Sequence, residues 1–179
     1  MKKILLLFSA VGMLSLTGCN NDDYDEDTIA EVFEISNVDF NTNNIVNPVT
    51  IPLTPSIKTS EMLLVYRLAG VSDNGDDIWE PLPATYHFDN GTDTNDFLSY
   101  YFDFTVNDLV VYLESNFNIT ELQNAEDFID NQVFRIVIIP GYGSNFRTSA
   151  SSMEQFKDYN AVIKKYGIDD SNVKKLNYK

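Results

Sequence analysis

FLSYYFDFTVNDLVVYL, residues 97–113, is the stretch on which the fold class turns. Leu98, Tyr100, Phe102 and Phe104 recur at every second position, with Ser99, Asp103 and Thr105 among the residues between them. Successive side chains of a strand point to opposite faces, so this alternation predicts a strand with one buried face. Leu109, Val111 and Leu113 continue the same pattern.

Similar signals lie on either side. Residues 61–69 (EMLLVYRLA) and 132–139 (QVFRIVII, ended by Pro140-Gly141) are apolar on both parities, as central strands are. SDNGDD at 72–77 is a turn, after which residues 78–88 return as a hairpin strand interrupted by Pro81-Leu82-Pro83. DNGTDTND at 89–96 is the next turn cluster. Val49, Ile51 and Leu53 alternate with Pro48, Thr50 and Pro52, which suits an edge strand because proline brings no ladder donor. In residues 31–40 the apolar parity switches from Phe33 and Ile35 to Val38 and Phe40, predicting a bulge near Ser36-Asn37. About seven short strands separated by turns predict a mainly β fold, an antiparallel β-sandwich. Ser152-Met153-Glu154-Gln155 has the form of a capping box, and Met153, Phe156, Tyr159, Ile163 and Tyr166 share a face before Gly167. One C-terminal helix packed on the sandwich is therefore expected, with a shorter one over 119–130.

The chain opens with Lys2 and Lys3, an apolar run from 4 to 16, and the small Thr17 and Gly18 before the single cysteine, Cys19. This is the order of a secretory signal, and the run is too short to span a bilayer comfortably. Leu16, Thr17, Gly18 and Cys19 resemble a bacterial lipobox, in which the cysteine is lipidated and becomes the mature N-terminus. One acyl chain binds a membrane reversibly, whereas the several chains of a lipoprotein cysteine hold it there. Residues 1–18 then form the signal peptide, 19–29 the lipidated cysteine with an acidic tether (NNDDYDED at 20–27), and 30–179 a single domain. With no second cysteine, a disulfide, a thiol nucleophile and a thiolate metal site are all excluded.

Acidic residues behind a lipidated cysteine also resemble the surface-export signal of Bacteroidota-type lipoproteins. Asp27-Thr28-Ile29 is similar to the short O-glycosylation sequon of the same group, which makes Thr28 a candidate. Twenty-seven acidic against twelve basic residues give a net charge of −15, so nucleic acid and anionic lipid surfaces would be repelled. After residues 1–18, bases outnumber acids only from Arg147 onward, and this tail is expected to lie against the acidic body.

Few chemistries fit this inventory. His87 is the only histidine, GYGSNF at 141–146 has neither nucleophile-elbow nor P-loop spacing, and zinc lacks its usual ligands. No cofactor is expected. Carboxylates are plentiful, but glycoside hydrolysis needs two of them facing across a cleft, which the sequence does not specify. The turns carrying Asp73, Asp76, Asp77 and Asp89, Asp93, Asp96 are either calcium ligands or ordinary hairpin chemistry. Trp79, Tyr86, Tyr100, Tyr101 and Tyr112 are either cross-strand packing or a sugar-stacking surface, with Trp79, Tyr100 and Tyr101 as the candidate ligand platform.

Taken together, EVFEISNVDF, MLLVYRL, IWEPLPATYHFD, YYFDFTVNDLVVYLESNFN, NQVFRIVIIPG and YNAVIKKYGID resemble a family of small Bacteroidota-type lipoproteins of unknown function. The same segment is similar to the C-terminal head of some collagen-like surface proteins of that group, though Gly-X-Y repeats are missing here. The resemblance covers most of residues 30–170 and brings no active site. It implies a non-enzymatic, lipid-anchored protein of the outer membrane, exposed at the cell surface and serving adhesion or envelope interaction. The expected partners are the membrane, through the lipid, and a glycan or another envelope protein. The alternative is a carbohydrate-binding lipoprotein of a glycan uptake system.

Overall fold

The computed structural model describes residues 30–41, 46–88, 95–141 and 154–178. In chain order the elements are β1 (Glu31–Val38), β2 (Val46–Pro52), β3 (Met62–Val71), β4 (Asp77–Pro81), β5 (Ala84–Phe88), β6 (Asp96–Phe104), β7 (Asp108–Ser115), a 3-10 turn at Ile119–Glu121, the one-turn α1 (Glu126–Ile129), β8 (Gln132–Ile139), α2 (Tyr159–Tyr166) and β9 (Lys174–Asn177). They form a β-sandwich whose sheets run β4-β3-β8-β1-β9 and β2-β7-β6-β5.

The opening stretch folds as its alternation requires. Leu98 and Tyr100 of β6, and Leu109, Val111 and Leu113 of β7, are fully buried, and the strands pair antiparallel with Tyr101 opposite Tyr112. The turn between them closes with Thr105 N–H donating to the Asp108 carbonyl, 2.8 Å, and Asn107 N–H to the Thr105 hydroxyl, 3.1 Å. β8 is apolar on both parities because it is covered on both sides. Phe134 and Ile136 face the inter-sheet core with Ile35, Leu63 and Val65, while Val137 and Ile139 lie with Tyr66 beneath Phe156, Tyr159, Val162 and Ile163. Among the described residues the five-stranded sheet is thus covered on both faces and the four-stranded sheet on one.

β1 slips register between Ile35 and Val38, with Asn37 at a φ of 58°, so the expected bulge is present. Three expectations need correction. The strands number nine among the described residues, since residues 78–88 divide: β4 pairs with β3, and β5 pairs with β6 in the other sheet. Pro81-Leu82-Pro83 carries the chain across, because a segment with two prolines lacks the donors to extend one ladder. The sandwich is also not wholly antiparallel, as β9 lies parallel to β1, and its sequence KKLN carries no alternation to announce it. Finally, α2 starts at Tyr159, capped by the Asp158 carboxylate accepting from Ala161 N–H at 3.2 Å. Ser152 and Met153 of the box lie outside the described residues, and Gly167 ends the helix at a φ of +64°, as its position suggested.

Candidate functional site

The outward face of the four-stranded sheet centres on Tyr101 and Tyr112, whose rings stack at 4.9 Å between centroids and 12° between planes. Strand alternation puts them there: their neighbours Tyr100 and Val111 point into the core. The spacing is that of an offset stack of two cross-strand aromatics. The Tyr112 hydroxyl donates to Asp103 Oδ2 at 3.0 Å, and the Glu114 carboxylate helps to raise the Tyr101 phenol. Both phenols titrate above their ordinary range, Tyr101 chiefly through burial and Tyr112 chiefly through its bond to the Asp103 carboxylate. Pro48 sits opposite Tyr112 on β2, and Thr85 and Ser99 share a hydroxyl hydrogen bond of 2.7 Å one row away.

No strand of this sheet contains a lysine or arginine. The surface therefore combines aromatic carbon with carboxylate and hydroxyl oxygens, and chemically it can stack on a ligand and accept its hydrogen bonds.

The predicted platform is only partly realised. Tyr101 lies on this face, but Tyr100 is fully buried and is no platform residue. It packs edge-on against Phe40 and Phe134, and its hydroxyl donates to the Phe128 carbonyl. Trp79 belongs to the other sheet, beside Tyr159 with ring centroids 5.8 Å apart, and the Arg135 guanidinium lies 4.2 Å from its ring centre. A ring enclosed between a guanidinium and a helix residue offers little surface to a sugar. The true neighbour of Tyr101 is Tyr112.

Two arginines organise the polar groups elsewhere. Arg67 is buried between the sheets, where Nε donates to Gln132 Oε1 (2.8 Å), one terminal nitrogen to the Tyr86 hydroxyl (3.0 Å) and the other to the Asp127 carbonyl (3.0 Å). The Tyr100 ring lies 4.7 Å away, and Tyr86 passes a hydrogen bond on to Glu80. Burial, reinforced by the Glu80 carboxylate, pushes the Tyr86 phenol up to about 12. On the opposite face of that sheet Arg135 binds Glu34 (3.2 Å) and the Tyr159 hydroxyl (2.9 Å), with Asp170 at 3.7 Å and Asp77 at 3.9 Å. Lys175 Nζ meets the other oxygen of Glu34 at 3.0 Å, so this part of the basic tail does lie on the acidic body. The sequence signal for both arginines is a lone cation inside a two-sided apolar run, MLLVYRLA and VFRIVII.

Asp73 and Asp76 belong to a turn organised by Ser72, whose N–H donates to the Asp76 carbonyl and whose hydroxyl accepts from Asp76 N–H, while Asp77 turns to Arg135. Asp89 and Asp93 lie outside the described residues, and no group of three potential metal ligands occurs among those described. His87 is exposed, opposite Phe97. Leu16, Thr17, Gly18, Cys19 and Thr28 also lie outside the described residues. No family model, curated protein or solved structure matches the chain, so the functional reading rests on this geometry and on the residues themselves.

Proposed function

We propose that the protein is a lipid-anchored, non-enzymatic binding module of the cell envelope, held at the outer membrane through Cys19 and interacting through the outward face of the four-stranded sheet. The observation that carries this reading is the Tyr101–Tyr112 stack, which no other described element covers, set in a sheet whose inner face is packed. Exposed aromatic and aliphatic surface on a well-packed scaffold is characteristic of interaction sites. Val46 and Val110 extend the apolar part of the face on either side of Pro48 and Tyr112.

Metabolic labelling with a palmitate analogue should mark the wild-type chain and not Cys19→Ser. Cells displaying a Tyr101→Ala/Tyr112→Ala chain should lose attachment to the surfaces that wild-type cells bind, with display unchanged. Unaltered attachment would sink the reading.

A glycan ligand is the second reading, favoured by the Asp103 carboxylate bonded to the Tyr112 hydroxyl, by Glu114 near Tyr101, and by the lack of lysine and arginine on the strands of that sheet. Sugar rings offer C–H faces to aromatic carbon and hydroxyl donors to carboxylates. Retention on a glycan array, abolished in Tyr112→Ala, separates this ligand from a protein partner.

A further inference from the structure

The two sheets differ by one strand, and the unmatched strand is β9. Lys174 and Leu176 are in register with Phe33 and Ile35 on β1, so they point toward the inter-sheet side, while Lys175 points outward to Glu34. Among the described residues the four-stranded sheet ends at β2, with no further strand beyond it to face β9. The overhang leaves a cleft of about 660 Å³ between β9 and the chain from Pro52 to Lys58. That volume falls within the roughly 300–1,000 Å³ typical of small-molecule sites.

Its walls are fixed. Leu53 N–H donates to the Asn107 carbonyl (2.8 Å), Ile57 N–H to the Val106 carbonyl (2.9 Å), and the Ser56 hydroxyl to Asn107 Oδ1 (2.9 Å). Across the cleft, Ser36 bonds the Leu176 carbonyl, and the Tyr178 hydroxyl reaches over to the Thr50 carbonyl at 3.1 Å. The lining is apolar at depth, with Phe33, Leu53, Ile57 and Ile138, and Leu176 remains 37% exposed at its side. Glu31, Lys58, Glu61 and Lys174 bring charge to the lining, Glu31 from the same face of β1 as Phe33. The Glu61 carboxylate is turned toward its own loop, accepting from Lys58 N–H at 2.7 Å, whereas Lys174 is exposed and set beside Phe33 by the strand register. Strand addition from outside is disfavoured on the β2 side by Pro48 and Pro52.

We propose that this cleft binds a single-chain anionic amphiphile of the fatty-acid type, its hydrocarbon lying between Phe33, Ile57 and Leu176 and its head group meeting Lys174. This site is separate from the tyrosine face and does not depend on it. The full-length Cys19→Ser chain, titrated calorimetrically with dodecanoate below its micellar concentration, should bind one equivalent. Leu176→Trp, which fills the cleft from an exposed position, should weaken binding at least about tenfold. Lys174→Gln should weaken dodecanoate, and Lys175→Gln, which removes a charge from the opposite side of the same strand, should not. Urea midpoints near wild type would show that these edge variants fold. Absence of saturable binding, full binding by Leu176→Trp, or dodecanol bound as tightly as dodecanoate would each overturn the proposal.

Discussion

The outward face of the five-stranded sheet carries Tyr66, Val137 and Ile139 beneath α2, whereas that of the four-stranded sheet carries Tyr101, Val110 and Tyr112 beneath no other described element. Both sheets share the same inner core, so the difference lies in the outward parity of each strand. On β8 that parity is apolar apart from Arg135, and apolar surface left in water is costly enough to require a cover. On β7 it reads Asp108, Val110, Tyr112 and Glu114, which water tolerates. One outer face therefore contributes to stability, and the other is covered by no described element.

The sharpest test of this contrast pairs two valines. Val162→Asn puts a carboxamide without a partner between α2 and the sheet and should cost about 3 kcal/mol in urea unfolding. Val110→Asn on the open face should cost less than ~1 kcal/mol. Equal losses would mean that the open face is covered after all.

Arg135→Met should follow, at about 2 kcal/mol, because it leaves the buried Glu34 carboxylate with Lys175 as its remaining ion-pair partner. The same substitution should loosen the chain around Asp170, which limited proteolysis would report as faster cleavage after α2.

Alkaline pH comes next. Burial between α2 and the sheet holds Tyr66 well above the ordinary phenol value of 10.0 and raises Tyr159 to about 12. Above pH 10 the unfolded chain surrenders phenolic protons that the folded chain keeps, so each such group favours unfolding as the pH rises. Its stabilising contribution is complete below pH 10 and is lost as the pH climbs toward 12. The urea midpoint should fall between pH 9 and pH 11.5, and a flat profile would contradict the burial of these phenols. The smallest effect on stability belongs to Tyr112→Ala, which should leave the midpoint unchanged while removing ligand retention. A large loss of stability there would recast the tyrosine stack as a structural feature.

Much of the sandwich could be read from residues 97–113 and their neighbours, because burying one face of a strand imposes a two-residue period on the sequence. Two-sided runs marked β3 and β8 as central for the same reason, and Gly167 marked the end of α2. The site was less legible. Tyr100 and Tyr101 are adjacent aromatics, and only the direction of the strand relative to the core decides which one is buried. Trp79 reads as an exposed ring until Arg135 and Tyr159 are brought to it from 56 and 80 positions further along the chain. β9 gave no signal, since four exposed residues pairing with a strand at the other end of the chain carry no local period.

Local periodicity, proline placement and turn chemistry, all encoded within a few residues, determined from sequence alone that this is a mainly β sandwich with a C-terminal helix. Tertiary structure alone decided which sheet the helix covers, where the chain crosses between sheets, which tyrosines face water and how β9 overhangs its partner. Those outcomes arise from contacts between residues far apart in the chain, and no window of sequence contains both members of such a pair.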